Sequence, residues 1–202
     1  MAKATERLIL ASGSAVRARL LQAAGIAFDV EPAGIDETVL KEAAGAARQS
    51  AADCALALAA EKARHISAAN SGSWVIGADQ LLVAGDKWFD KPRDLPAART
   101  QLRELRGRAH VLETAVCVVR DGEALWHHLS RPALTMREFS DSFLESYLAA
   151  EGETVLASVG AYRLEARGAQ LFAAIDGDSF AILGLPLIEL LGFLREVGMA
   201  EQ

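Results

Sequence analysis

The constraint that rules most folds out of this chain is an apolar strand that turns straight into a helix on three small residues, Leu8-Ile9-Leu10-Ala11-Ser12-Gly13-Ser14-Ala15-Val16-Arg17-Ala18-Arg19-Leu20-Leu21. Ser14 suits an N-cap, so the first free N–H groups of the helix point back at the strand end, where small side chains let an anion approach. Arg17, one turn in, is placed to add a fork-shaped contact to a phosphate. The same segment also suits a plain capped βα unit that binds nothing. Neither G-x-G-x-x-G nor G-x-x-x-x-G-K-[ST] is present, so dinucleotide-fingerprint and P-loop readings fail.

With 202 residues, 51% of them apolar, and five prolines, the chain can bury a full core as one domain or as two lobes sharing a sheet. No apolar run approaches the roughly 20 residues of a membrane span, which predicts no membrane association. Met1 to Arg7 lead into the first strand without a signal-peptide core, so the expected location is cytoplasmic. Cys54 falls in a helical pattern and Cys117 in a strand pattern, as buried reduced thiols rather than a disulfide or metal site. A net charge of −6 argues against a broad nucleic-acid surface and requires any anion site to be a local cluster of bases.

After a helix ending near Gly25, residues 26–30 predict a short strand and 31–38 a loop carrying Glu31, Asp36 and Glu37. Helical spacing runs from about Ser50 to Ala69. Trp74 to Val83 and Lys87 to Phe89 read as strands around a turn at Ala84-Gly85-Asp86, and Pro96 starts a helix to Leu105. His110 to Arg120 and Ala124 to Glu138 read as antiparallel neighbours around Asp121-Gly122-Glu123. Ser140 to Ser142 caps a helix to Ala150, residues 151–167 read as a long functional loop, and residues 171–175 as a strand. Phe180 to Leu183 is an apolar run, and Pro186 opens a last helix striped by Leu187, Leu190, Leu191 and Leu194.

Alternation puts Asp79 on the strand face of Val75, Leu81 and Val83, where an ionised acid needs a base, a metal or a role as general base. It would otherwise be a strand-end acid facing water. Acids in loops, such as Asp36 and Glu37, are ordinarily solvated, and Lys62 beside Glu61 and Arg64 reads by spacing as a solvated helix face. Lys91 precedes a proline that stiffens its loop. His110 and Thr114 share a strand face, where a histidine is more often packed than catalytic. Together, Arg17, Lys62 and Lys91 with Glu37 and Asp79 fit a phosphate substrate with a divalent cation.

In order along the chain, these pieces resemble the Maf family of nucleoside-triphosphate pyrophosphatases, also described as septum-formation inhibitors. The resemblance rests on Leu10-Ala11-Ser12-Gly13-Ser14 with Arg17 and Leu20-Leu21, on Ile35-Asp36-Glu37, and on Leu58-Ala59 with Lys62-Ala63. It continues through Ile76-Gly77-Ala78-Asp79, Lys91-Pro92, Gly107 with His110 and Thr114, Gly160-Ala161-Tyr162, and Asp176-Gly177-Asp178 before Gly184-Leu185-Pro186-Leu187. It implies one domain over residues 1–202 with an α/β, Maf- or ITPase-like fold: an elongated mixed sheet flanked by helices, in two lobes around a central cleft.

It also implies a hydrolase acting on acid anhydrides, which cuts a nucleoside triphosphate between the α and β phosphates with Mg²⁺ or Mn²⁺. By the same resemblance Asp79, Glu37, Lys62 and Lys91 are catalytic, and Asp79 and Glu37 hold the metal. Ser12, Ser14, Arg17, Gln80 and Glu165 bind substrate. A homodimer is compatible with this reading.

The family's opening motif usually continues Pro-Arg-Arg-x-Glu, whereas this chain has Ala15-Val16-Arg17-Ala18-Arg19 and one arginine fewer. Arg19 does not replace it, because two residues along a helix turn the side chain about 200° away. Asp79-Gln80 in place of Asp-Thr, and Glu165 in place of a glutamine, resemble the branch acting on 7-methyl-GTP rather than that preferring dTTP and UTP. A carboxylate accepts from the N1–H and N2–H donors of guanine and favours the positive charge of an N7-methylated base. Glu165 pairing with Arg163 or Arg167, away from any base, is the plainer alternative. A nucleotide-binding regulator of cell division without hydrolysis is the competing reading, and retention of both acids speaks against it.

Overall fold

Leu8–Leu10 is a strand (β1) and Ala15–Ala23 a helix (α1), as the opening stretch predicts, in a computed structural model that describes residues 6–201. Ser14 is extended and its hydroxyl accepts from the Arg17 N–H, as an N-cap does. The chain continues through β2 (Asp29–Val30), α2 (Glu37–Ala46), α3 (Ala51–Ser67), β3 (Trp74–Ala84), β4 (Lys87–Phe89) and α4 (Leu95–Leu105). It then forms β5 (Ala109–Arg120), β6 (Glu123–Ser130), β7 (Ala133–Met136), α5 (Asp141–Glu151), β8 (Phe172–Asp176), α6 (Ser179–Ile182) and α7 (Leu187–Glu196).

The strands make an eight-stranded mixed sheet ordered β2-β1-β3-β5-β7-β8, with β4 on β3 and β6 on β5. β1 runs parallel to both β2 and β3, while the β3–β4, β5–β6, β5–β7 and β7–β8 pairs are antiparallel. The expected α/β class with a mixed sheet flanked by helices is the one observed. No helix among the described residues is long and apolar enough to cross a membrane. Cys54 and Cys117 are free and buried, as read from their patterns.

Contacts within the chain gather into two compact units. One holds the chain up to Asp79, Thr114–Ser130 and the chain from Phe180; the other holds Gln80–Glu113 and Arg131–Ser179. In the first unit, Leu8, Leu10, Trp74, Ile76, Ala78, Val116 and Val118 share a core with Leu21 of α1 and with Leu187, Leu190, Phe193 and Leu194 of α7. These sheet positions alternate along their strands, so the intervening residues of β3 turn to the opposite face, against α3. In the second unit, Leu102, Leu105, Leu134, Leu144, Tyr147 and Leu171 are fully buried. There the Tyr147 hydroxyl donates to the carbonyl of Ala161, a non-glycine residue at φ 59°.

Four local readings are corrected. Residues 37 and 38 leave the expected loop to begin α2, capped by the Asp36 carboxylate; only Ala44 of that helix is buried, so its apolar period is weak. The segment 124–138 is two strands, because Arg131-Pro132 interrupts it and proline has no N–H for a ladder. β6 therefore pairs with residues 114–120 of β5, and β7 with residues 109–111. Residues 152–157, 159–161 and 167–171 form 3₁₀ turns rather than one open loop. Residues 179–182, read only as turn and apolar run, make a short helix. The hairpin turn stands as expected, with Asp121 and Gly122 at φ 50° and 82°.

Candidate active site

The first unit contains a change of winding direction. β1 leads through α1 to β2 on one side, and β2 leads through α2 and α3 to β3 on the other. Because α1 and α3 cover opposite faces, the carboxyl end of β1, beside the stretch of β3 after Ile76, forms a switch point, where open α/β sheets bind ligands. β1 leaves β3 after the Ala11 N–H has donated to the Ile76 carbonyl at 2.8 Å. β3 runs on without that neighbour, and the Ala78 carbonyl accepts from Arg17 Nη1 at 2.8 Å instead.

Arg17 also donates from Nη1 to Ser12 Oγ (3.0 Å) and from Nε to the Gly184 carbonyl (2.7 Å), reached by a glycine at φ 103°. Its Nη2 has no acceptor among the described residues, which leaves its N–H groups to donate elsewhere. Ser12 Oγ accepts from both Arg17 and the Ser14 N–H, which leaves its own proton to donate. Within the described residues the N–H groups of Ala15 and Val16 have no acceptor either, as the first turn of a helix requires. The groups left over here are all donors, so the position suits an anion.

Beside it stand the acids. Lys62, buried on α3, places Nζ 2.5 Å from Asp79 Oδ1 and 2.6 Å from Glu37 Oε1. This overturns the solvated-face reading of Lys62 and the water-facing reading of Asp79, which is 5% exposed. Asp79 Oδ2 is buried with no hydrogen-bond partner in the protein. Burial pushes the Glu37 carboxyl up, yet the hydrogen bond and charge of Lys62, with Lys41 behind it, hold it below its ordinary value. Burial likewise lowers Arg17 from the ordinary arginine value, while Asp79 and Glu37 pull it upward; the guanidinium remains a cation.

Lys41 was missed in the sequence. It lies 3.5 Å from Glu37 Oε2 as an i,i+4 pair, a signal visible only once α2 is recognised. Ser12, Ser14, Arg17, Glu37, Lys62 and Asp79 all fall in the first unit, whereas Gln80, Lys91 and Glu165 fall in the second. Gln80 follows Asp79 on β3 and so takes the other face of the strand. Lys91 is exposed after β4. Glu165 is exposed and accepts from Arg163 Nε at 3.4 Å, the pairing weighed as its plainer alternative. His110 is buried and shares a 3.0 Å hydrogen bond with the Tyr162 hydroxyl, while Thr114 donates to the Ala181 carbonyl at 3.0 Å; both are packed.

The profile of the Maf-like protein family matches residues 7–197. A nucleoside triphosphate pyrophosphatase of Rhodospirillum rubrum is 52% identical over 192 residues, 95% of each chain. One of Granulibacter bethesdensis is 53% identical over 190 residues, covering 94% of this chain and 96% of the relative. A 7-methyl-GTP pyrophosphatase of Rhizobium meliloti is 48% identical over 191 residues, covering 95% of this chain and 96% of the relative.

Proposed function

The chain belongs to the family of Maf-like proteins, and from that membership we propose how its residues carry out the nucleoside triphosphate pyrophosphatase reaction. The enzyme is a hydrolase of acid anhydrides: water adds to the α-phosphorus, the bond from that phosphorus to the bridging oxygen breaks, and the oxygen leaves with pyrophosphate. Monophosphate and pyrophosphate form in equal amounts. The observation that carries the assignment of roles is Lys62 seated between Asp79 and Glu37 next to a cluster of unused donors.

In this reading the donors of Ser12, Ser14, the start of α1 and Arg17 Nη2 hold phosphate oxygens, and Lys62 and Lys91 neutralise charge that builds during transfer. Asp79 Oδ2, a buried acceptor without a protein partner, either holds the metal or activates the attacking water, with Glu37 assisting. Among the described residues no three His, Cys, Asp or Glu side chains cluster as a metal cage. Two carboxylates with an orphaned oxygen suit Mg²⁺ or Mn²⁺, which complete their shells with phosphate oxygens and water. Bound by Glu37 and Asp79, such a cation would supply charge neutralisation at the phosphates.

For the base we propose 7-methyl-GTP. The resemblance of Gln80 and Glu165 to that branch supports it, as do the names of the Rhizobium meliloti and Rhizobium etli relatives, at 48% and 47% identity. A panel of triphosphates with Mg²⁺ or Mn²⁺ tests the reading. Pyrophosphate release is expected, and release of single phosphate would overturn it. Asp79→Asn should lower kcat by roughly a hundredfold or more, as loss of a group acting in the transition state does, with KM little changed. A wild-type rate would remove Asp79 from the mechanism.

A further inference from the structure

Gly77 and Asp79 lie two apart on β3 and share the face that meets α3. Their neighbours on that face, Val75 and Leu81, are large and fully or almost fully buried. At Gly77 the side chain is reduced to nothing. A Cβ built there would lie 2.0 Å from the Ala59 carbonyl oxygen, 2.9 Å from the Ala63 nitrogen and 3.0 Å from Ala63 Cβ. Gly77 is not among the residues of positive φ, so the backbone does not demand glycine; the helix does. Ala59 and Ala63, one turn apart and both 0% exposed, are the helix side of the same contact.

Lys62 precedes Ala63, and Asp79 lies roughly 7 Å along the strand from Gly77, close to the full reach of a lysine side chain. Little length is left over to span a wider gap between helix and strand. We propose that Gly77 is a positioning residue for the active site: by letting the α3 backbone rest on β3, it sets Lys62 between Asp79 and Glu37. The inference rests on the reading of Lys62 as part of that site. A methyl group at residue 77 drives the Ala59 carbonyl outward by about 1 Å, and displacement of that size at a catalytic group costs on the order of a hundredfold in rate.

The test is a double-mutant cycle on the full chain, with kcat and KM measured for pyrophosphate release and folding followed by circular dichroism and thermal melting. Gly77→Ala should lower kcat by about a hundredfold with a much smaller change in KM. In a Lys62→Met background the same substitution should cost less than about twofold, because the residue it acts through is gone. A purely structural role would instead multiply the two losses, and that outcome overturns the proposal, as does a Gly77→Ala enzyme with wild-type kcat. Should Gly77→Ala fail to fold, Ala63→Ser, which crowds the same contact from the helix side, carries the cycle with a loss of about tenfold expected. Wild-type turnover in Lys62→Met would overturn the reading of the site itself. A crippled Lys62→Met beside fully active Gly77→Ala and Ala63→Ser would overturn the positioning role alone.

Discussion

Arg17 holds the main chain next to Asp79: its Nη1 donates to the Ala78 carbonyl at 2.8 Å, where β3 has lost β1 as a neighbour. The same side chain bonds Ser12 and the Gly184 carbonyl, so one guanidinium ties together the turn after β1, the end of β3 and the turn before α7. Arg17→Lys keeps the charge but has a single nitrogen, which cannot satisfy three acceptors in those directions. We expect kcat/KM to fall by at least about tenfold and stability by about 2 kcal/mol or more, as hydrogen bonds from a charged group are lost. Steady-state kinetics and urea unfolding measure both, and a lysine variant equal to wild type in each would reduce Arg17 to a generic cation.

His110 makes the fold sensitive to mild acid. Burial lowers its pKa from 6.5 to about 4, so the folded state refuses a proton that the unfolded chain accepts. Its share of stability is therefore complete above the unfolded value and is lost as pH falls from 6.5 towards 4. The full loss amounts to roughly 3 kcal/mol. His110→Gln, which keeps a partner for the Tyr162 hydroxyl, should flatten the fall in unfolding free energy between pH 7 and about pH 4.5, the region where imidazole titrates. An identical pH slope in the variant would assign that acid sensitivity to other groups.

Glu165 is the residue through which the proposed base preference is tested. A carboxylate accepts from both guanine donors, whereas an amide keeps one acceptor oxygen and sets its NH₂ against the other donor, at roughly 1–3 kcal/mol. Glu165→Gln should accordingly lower kcat/KM for 7-methyl-GTP by about tenfold or more while changing dTTP and UTP little. An unchanged ratio would mean that Glu165 serves Arg163, its partner in the structure, and nothing else.

Local chemistry was legible without the fold. Ser14 and Ser140 each cap the helix that follows, and the Asp121-Gly122 turn closes its hairpin, because capping and tight turns are settled within a few residues. The order of short motifs was equally legible, and it linked Arg17, Glu37, Lys62 and Asp79 before any distance was known. What the residues taken singly could not disclose was which of them are buried together. Lys62 reads by spacing as a solvated lysine, and its burial follows from α3 resting on β3 at Gly77.

The Gly184 carbonyl became a partner of Arg17 across 167 residues because α7 and α1 share a core on the other face of the same strands. Helix caps and turns depend on neighbours along the chain. Ion pairs such as Lys62 with Asp79 depend on which faces the crossover connections bring together, and only the folded sheet makes that choice.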